Sequence, residues 1–259
     1  MRSCIRFSTV CLLVLIPMFA WAAHPLITDD TGTQGKGKFQ LEVNGQYDYD
    51  KETQAGVTMK TTGGQAAATL SYGVVDNTDL AVSIPYLWTR MTSDGAPVSN
   101  EKGISDASFE LKWRFWEKEG VSLALKPGIS FPTGNENRGL GSGETGYHVY
   151  LFGSKEAEPW AFHANLGYIR NDMKFDVEAR NLWHVSLATT YSVQKNLKIA
   201  ADTGIERDAD KTSHIEPAYF LGGIIYSVNE DLDIDLGVKH AVTTSETDVS
   251  VMAGTTYRF

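Results

Sequence analysis

The chain has 259 residues with 32 acidic and 23 basic side chains, a formal net charge of −9 at neutral pH. That balance argues against nucleic acid as a partner. The length suits one large β domain, and a slightly negative mean hydropathy with 24 glycines and 11% aromatics leaves room for a barrel whose inner residues are polar.

Met1 to about Ala22 reads as a secretory signal peptide. Arg2 and Arg6 give the positive start, Val10 to Ala20 the apolar stretch, and Ala20-Trp21-Ala22 the small-x-small cleavage form. The apolar stretch is shorter than the ~20 residues a spanning helix needs, and no later stretch approaches one. Both cysteines, Cys4 and Cys11, lie in this leader, so the mature chain is expected to lack disulfides, thiol catalysis and cysteine metal ligands. Cleavage removes two of the 23 basic residues and no acidic one, which takes −9 to −11.

Residues 23–37 follow as a polar, glycine-rich lead-in, expected to be periplasmic or lumenal, and residues 38–259 form the domain proper. Lys38 to Asp50 alternates cleanly, with Phe39, Leu41, Val43, Tyr47 and Tyr49 on one face and Lys38, Gln40, Glu42, Asn44, Gln46 and Asp48 on the other. Such alternation is the mark of a strand with two different faces. Lys51 to Lys60 reads as a polar loop. Ala66, Ala68, Leu70, Tyr72 and Val74 mark the next strand, Asp76-Asn77 a turn, and Leu80, Val82, Ile84, Tyr86 and Trp88 a third strand. Met91 to Gly103 reads as a long polar loop.

Phe109, Leu111, Trp113 and Phe115 then alternate with Glu110, Lys112 and Arg114. Val121 to Phe131 carries Lys126 opposite its apolar face, and Pro132 to Glu144 is a long loop. Strands at Thr145–Lys155, Trp160–Arg170, Trp183–Val193 and Leu197–Arg207 follow, and then a less regular one at His214–Val228 containing Pro217. Leu232 to Lys239 and Asp248 to Phe259 close the chain, and Val249, Val251, Ala253, Thr255, Tyr257 and Phe259 share one face of the last strand.

Two regularities point to an all-β, transmembrane, antiparallel up-and-down β-barrel of about twelve strands. The strands are about ten residues long, as a tilted crossing requires. The connections alternate between longer polar loops and short turns, as outer loops and periplasmic turns do. Aromatics near the strand ends of the apolar face would form girdles at the two interfaces.

The stretch H-P-L-I-T-D-D-T-G-T-Q-G-K-G-K-F-Q-L-E, with Thr28-Asp29-Asp30 and Gly32 as its most specific piece, resembles the opening of the meta-pathway of phenol degradation outer-membrane protein family. Ser71-Tyr72-Gly73, Gly103-Ile104-Ser105-Asp106 and Gly128 to Gly134 extend the resemblance over most of the mature chain. It implies an outer-membrane barrel that passes small, aromatic or apolar compounds. The terminal Phe259 also resembles the aromatic end used by the outer-membrane assembly machinery.

Lys38, Glu42, Glu110, Lys112, Arg114, Lys126, Asp202, Glu206, Asp233, Asp235, Lys239 and Arg258 are the charged side chains expected to line the lumen, with Asp48, Lys198 and Asp248 on the same faces. Near-balance of the two signs predicts a braced, narrow bore. A two-residue turn at Ser245-Glu246 would place Asp233 opposite Arg258.

Other constellations are weaker. His184 and Ser186 share a face but have no orienting Asn or Asp beside them. His148, His163 and His184 do not form a ligand-spacing motif, Gly139 to Gly143 lacks the Lys-Ser/Thr ending of a phosphate loop, and Asp29-Asp30 reads as solvated. The sequence therefore predicts no catalytic residues, no cofactor and no metal. The expected function is a passive outer-membrane channel or transporter, reached through a cleaved leader. Its partners would be outer-membrane lipid, the assembly machinery and a small-molecule solute. A lipase-like outer-membrane hydrolase and a structural or adhesive barrel are the alternatives.

Overall fold

A computed structural model describes residues 24–175 and 178–259; the leader proposed for 1–22 lies outside them. Among the described residues there are thirteen strand segments. They are β1 (Phe39–Gln54), β2 (Val57–Val75), β3 (Thr78–Ser93), β4 (Ala96–Ile104), β5 (Ala107–Lys118), β6 (Val121–Phe131), β7 (Gly146–Ala157), β8 (Trp160–Arg170), β9 (Asn181–Gln194), β10 (Leu197–Glu206), β11 (Ala218–Ser227), β12 (Leu232–Ala241) and β13 (Val249–Arg258).

Each pairs antiparallel with its sequence neighbour except across the β4–β5 break. There β3 takes both partners in turn, β5 along its first half and β4 along its second. β4 and β5, interrupted at Ser105-Asp106, therefore act as one wall strand. β1 closes on β13, from Gln40 opposite Arg258 to Tyr49 opposite Val249, and the result is a closed antiparallel barrel of twelve strands.

The alternation in sequence becomes two surfaces. On β1, Leu41, Val43 and Tyr47 are exposed while Glu42, Asn44, Gln46 and Asp48 are buried. On β2 and β3, Leu70, Tyr72, Val82, Ile84 and Tyr86 are exposed, and Thr69, Ser71, Asp79 and Ser83 are buried. A soluble sheet would bury its apolar face, so this inversion requires an apolar surround.

Two stretches expected as loops are strand instead. β1 runs on to Gln54 and β2 starts at Val57, while β3 runs to Ser93 and β4 starts at Ala96. Ala55-Gly56 and Asp94-Gly95 both have positive φ at the two central positions, the backbone of a two-residue type I′ hairpin. With 19 residues, β2 has about twice the ~9–11 that a crossing takes, so a four-stranded sheet of β1 to β4 projects beyond the barrel.

The β12–β13 register differs by two residues from the expected one. Asp233 lies opposite Thr256, and β13 begins only at Val249. A shift of two keeps every side chain on its face, and Arg258 still reaches Asp233, with Nη2 2.7 Å from Oδ2.

Candidate functional site

Before β1 begins, residues 24–37 run as a strap through the barrel interior, against the inner wall. His24, Pro25, Leu26, Ile27, Thr28, Asp29 and Thr31 are all buried, and Thr28 is 0% exposed. A buried segment outside the sheet must find partners for its backbone groups, and the inward-facing residues of the wall supply them.

The strap begins at β12, where His24 Nδ1 contacts Asp235. Pro25 then lies against glycines: a β-carbon at position 223 would sit 2.5 Å from its Cγ, and one at 237 would sit 2.6 Å from its Cβ. Leu26 and Ile27 pack into an apolar seat of Ala188, Ala200, Tyr219, Leu221 and Met252. Next the Asp202 carboxylate accepts the backbone N–H groups of Ile27 and Thr28, both at 2.7 Å, and the Thr28 hydroxyl at 2.8 Å. The Tyr219 hydroxyl donates to the same carboxylate at 3.2 Å.

Asp29 reaches the other side of the wall. The Asn165 carboxamide, turned to satisfy both partners, accepts the Asp29 N–H at 2.6 Å and donates to its carbonyl at 2.8 Å. The Asp29 carboxylate takes Lys112 Nζ at 3.0 Å and Lys126 Nζ at 2.9 Å. Lys126 also meets Glu110 at 3.3 Å, and Glu110 meets His148 Nε2 at 2.8 Å. Both lysines sit over the Phe152 ring, 5.6 and 5.5 Å from its centroid. A buried charge is tolerated only when paired and hydrogen-bonded, and here the Asp29 carboxylate bridges two wall lysines, with Asp30 on Lys112 at 3.3 Å and Glu110 on Lys126 supplying the remaining negative charge. Thr31 then bonds Ser154 and Ser122, Gln34 N–H donates to Asp79, and Gly37 N–H donates to the Gly73 carbonyl at 2.7 Å before β1 starts.

Beside the strap, a cavity of about 260 Å³ is bounded by Asp29, Glu42, Asp79, Glu110, Lys112 and Lys126 among others. On the β7–β9 side, Tyr150 and Phe152 stack at 6.0 Å, and Tyr150 meets the His184 ring at 6.4 Å. These large inward side chains fit because glycine stands beside them. A β-carbon at 167 would sit 2.3 Å from Tyr150 Cε1, and one at 128 would sit 2.1 Å from His148 Nε2.

The charged residues singled out in the sequence fall into three groups. Lys112, Lys126, Glu110, Asp202 and Asp235 meet at the strap or beside it, and Glu42 is buried in the cavity wall. Asp233 with Arg258, Lys239 with Glu246 at 2.7 Å and Glu206 with His184 at 3.2 Å form separate pairs along the wall. Lys38 is exposed at the foot of β1, and Arg114 pairs with Glu117 at 3.2 Å.

The three histidines go to three different places: His148 to Glu110, His163 to Ser154, His184 to Glu206. The Ser186 hydroxyl lies 2.8 Å from that of Thr28. Asp29, read from sequence as solvated, is instead 3% exposed. Sequence reasoning did not single out Asn165, Tyr150, Phe152, Pro25 or the glycine sockets. The signal available was a run of glycines at inward-facing positions, where a bulky neighbour or a second chain segment needs space.

A family model described as "Putative MetA-pathway of phenol degradation" matches residues 25–259. Among solved structures, the COG4313 outer membrane channel from Pseudomonas putida F1 is similar at a TM-score of 0.70 and 14% identity, covering 89% of this chain and 98% of that one. The NanC porin gives a TM-score of 0.55 at 12% identity, covering 84% and 98%. The translocator domain of the autotransporter NalP from Neisseria meningitidis gives 0.53 at 14%, covering 88% and 91%. At these identities the likeness is one of fold, that of outer-membrane barrels. No curated protein sequence matches.

Proposed function

Because the chain belongs to the family described as "Putative MetA-pathway of phenol degradation", we propose that it is a passive outer-membrane channel for small solutes, with residues 24–37 as the closure of its bore. The observation that carries this reading is the strap itself, a segment held inside a lumen by polar contacts from several strands around the wall. These polar contacts can be exchanged for water when the strap moves, so displacement has chiefly to overcome the apolar seat of Leu26 and Ile27 and the ion pairs of Asp29.

The lumen-facing charges bear on solute choice. A cavity of about 260 Å³ is larger than the ~150 Å³ pocket that accepts benzene, but its lining is polar and charged. Such a lining favours small aromatics bearing hydroxyl or carboxylate groups over bare hydrocarbons. From the short-turn side a solute would meet Arg258, Asp233 and Asp79 before Glu42, Glu110 and Lys126.

The terminal residue fits an assembly role. Phe259 stacks on Phe39 at 5.6 Å and exchanges backbone hydrogen bonds with it, so it also closes the β1–β13 seam. We read it as the signal recognised during membrane insertion, after export through the leader at 1–22.

Flux into liposomes tests the reading. The mature chain should admit phenol-sized solutes, and a chain lacking residues 24–37 should admit them faster. No solute entry with either protein, both folded in the bilayer, would overturn it.

A further inference from the structure

The outside of the barrel carries a charge pattern separate from the strap. On β1 the exposed face continues from Val43 and Tyr47 through Tyr49 to Lys51. Lys51 lies directly opposite Lys60 of β2, and Lys60 Nζ sits 5.0 Å over the Tyr49 ring, which fixes both on that face. On β3 the same face runs Val82, Ile84, Tyr86, Trp88 and then Arg90; Lys102 of β4 lies opposite Trp88. Lys51, Lys60, Arg90 and Lys102 are all exposed, and none is ion-paired among the described residues.

The acids of these strand ends are turned away. Asp50 and Glu52 alternate onto the opposite face of β1, Glu101 pairs there with Arg138 at 2.6 Å, Asp94 accepts the Thr58 N–H at 2.9 Å in the hairpin turn, and Asp248 accepts the Lys51 backbone N–H at 3.0 Å. Four cations thus share one outward face in a chain whose net charge is −9. Like charges directly opposite one another on neighbouring strands are destabilising, so an anion beside Lys51 and Lys60 would relieve a repulsion that the Tyr49 ring under Lys60 only partly offsets.

Position identifies the anion. The cations sit one step beyond, or level with, Tyr49, Tyr86 and Trp88, on the lipid-facing surface at the end opposite the short turns. Aromatics of this kind lie at headgroup level, and long Lys and Arg stems carry their charges to the same depth. Phosphate is the headgroup anion that Arg forks and Lys ammonium groups recognise.

We propose that the outward face of β1 to β4 binds the phosphorylated headgroup of an outer-leaflet lipid through Lys51, Lys60, Arg90 and Lys102. The proposal rests on the barrel's standing in the outer membrane with its short turns inside. It does not depend on the bore conducting.

The test uses the mature chain folded into bilayers containing either a phosphorylated or a dephosphorylated lipid A, with bound lipid counted by native mass spectrometry after extraction. The phosphorylated form should co-extract with the wild-type chain, and affinity should fall roughly fivefold for each cation removed, so that K51Q/K60Q/R90Q/K102Q retains little. The temperature at which the folded band is lost on a gel shows that the variant is a barrel. Excess inorganic phosphate should not displace the lipid, since a free ion lacks the acyl anchor. Equal retention of the two lipids by the wild-type chain, equal retention by the folded quadruple variant, or full displacement by inorganic phosphate would overturn the proposal. Solute flux through the same bilayers is read separately, so a closed bore with lipid retained would count against the channel reading alone.

Discussion

Thr28 meets Asp202 twice, through its backbone N–H at 2.7 Å and its hydroxyl at 2.8 Å. The contact ties a strap residue that is fully buried to the middle of β10, and Ile27 N–H shares the same carboxylate. Asp202→Ala leaves these buried donors without an acceptor, at about 1–3 kcal/mol for an unsatisfied group. Hydrogen exchange at the Ile27 and Thr28 amides should then accelerate about 5- to 150-fold, with barrel amides of β10 unaffected. Unchanged protection of the two strap amides would mean that Asp202 does not hold the strap.

Lys126 stands between the strap and the wall, 2.9 Å from Asp29 and 3.3 Å from Glu110. Lys126→Met should destabilise the folded barrel by roughly 3–5 kcal/mol, because removing one partner of a buried pair strands the other charges. Asp29→Asn together with Lys126→Met should cost less than the two single changes added, since the stranded charge is then gone as well. Thermal loss of the folded gel band measures all three; strict additivity would argue against a direct coupling.

Two glycines with different surroundings make a paired prediction. A β-carbon at Gly128 would lie 2.1 Å from His148 Nε2, while at Gly222 nothing lies within 4 Å. Gly128→Ala should push His148 off Glu110 and destabilise by about 1–3 kcal/mol, whereas Gly222→Ala should stay within about 0.5 kcal/mol of wild type. Equal effects at the two sites would remove the socket role given to Gly128.

Outside the membrane, Glu178 joins the β8–β9 loop to the β10–β11 loop through its bridge to Asp210, and Ala179 N–H donates to the Ala209 carbonyl at 2.8 Å. Burial first, and then the neighbouring Asp208 and Asp210, raise its carboxyl to about 7, against the Asn171 amide, which bonds and stabilises the ionised form. A folded-state value above the unfolded one means that the docked loops hold the extra proton. Docking is therefore at full strength below the ordinary carboxylate range and weakens as pH rises towards 7. Limited proteolysis of these loops should speed up between about pH 5 and 7 in the wild type and show a flatter profile in Glu178→Gln. An identical pH profile in the two proteins would remove Glu178 as the cause.

The strand faces were legible in sequence because a barrel in lipid imposes period two on every wall strand, as from Leu41 to Tyr49 and Leu232 to Lys239. The pairing of Asp233 with Arg258 was expected from a two-residue turn at Ser245-Glu246; that register is wrong by two, and the pair still forms because a shift of two keeps both side chains on the inner face. The hairpin extensions were not legible as strand, since polar residues such as Thr53 and Thr58 occupy both faces there, although Asp94-Gly95 is a hairpin signal in its own right. Asp29 was misread because nothing local marks residues 24–31 as buried; their partners Asp202, Asn165 and Lys126 are more than a hundred residues away or on distant strands. What identifies such a seat is inward glycine, as at Gly223 and Gly237 under Pro25, and that becomes visible only once the faces are assigned.

The central claim is that residues 24–37 close the bore, and single-channel recording in a planar bilayer tests it most directly. The intact mature chain should give small, weakly ion-selective conductance, and deletion of residues 24–37 should raise it. A large, steady, porin-like conductance in the intact chain, unchanged by the deletion, would contradict it.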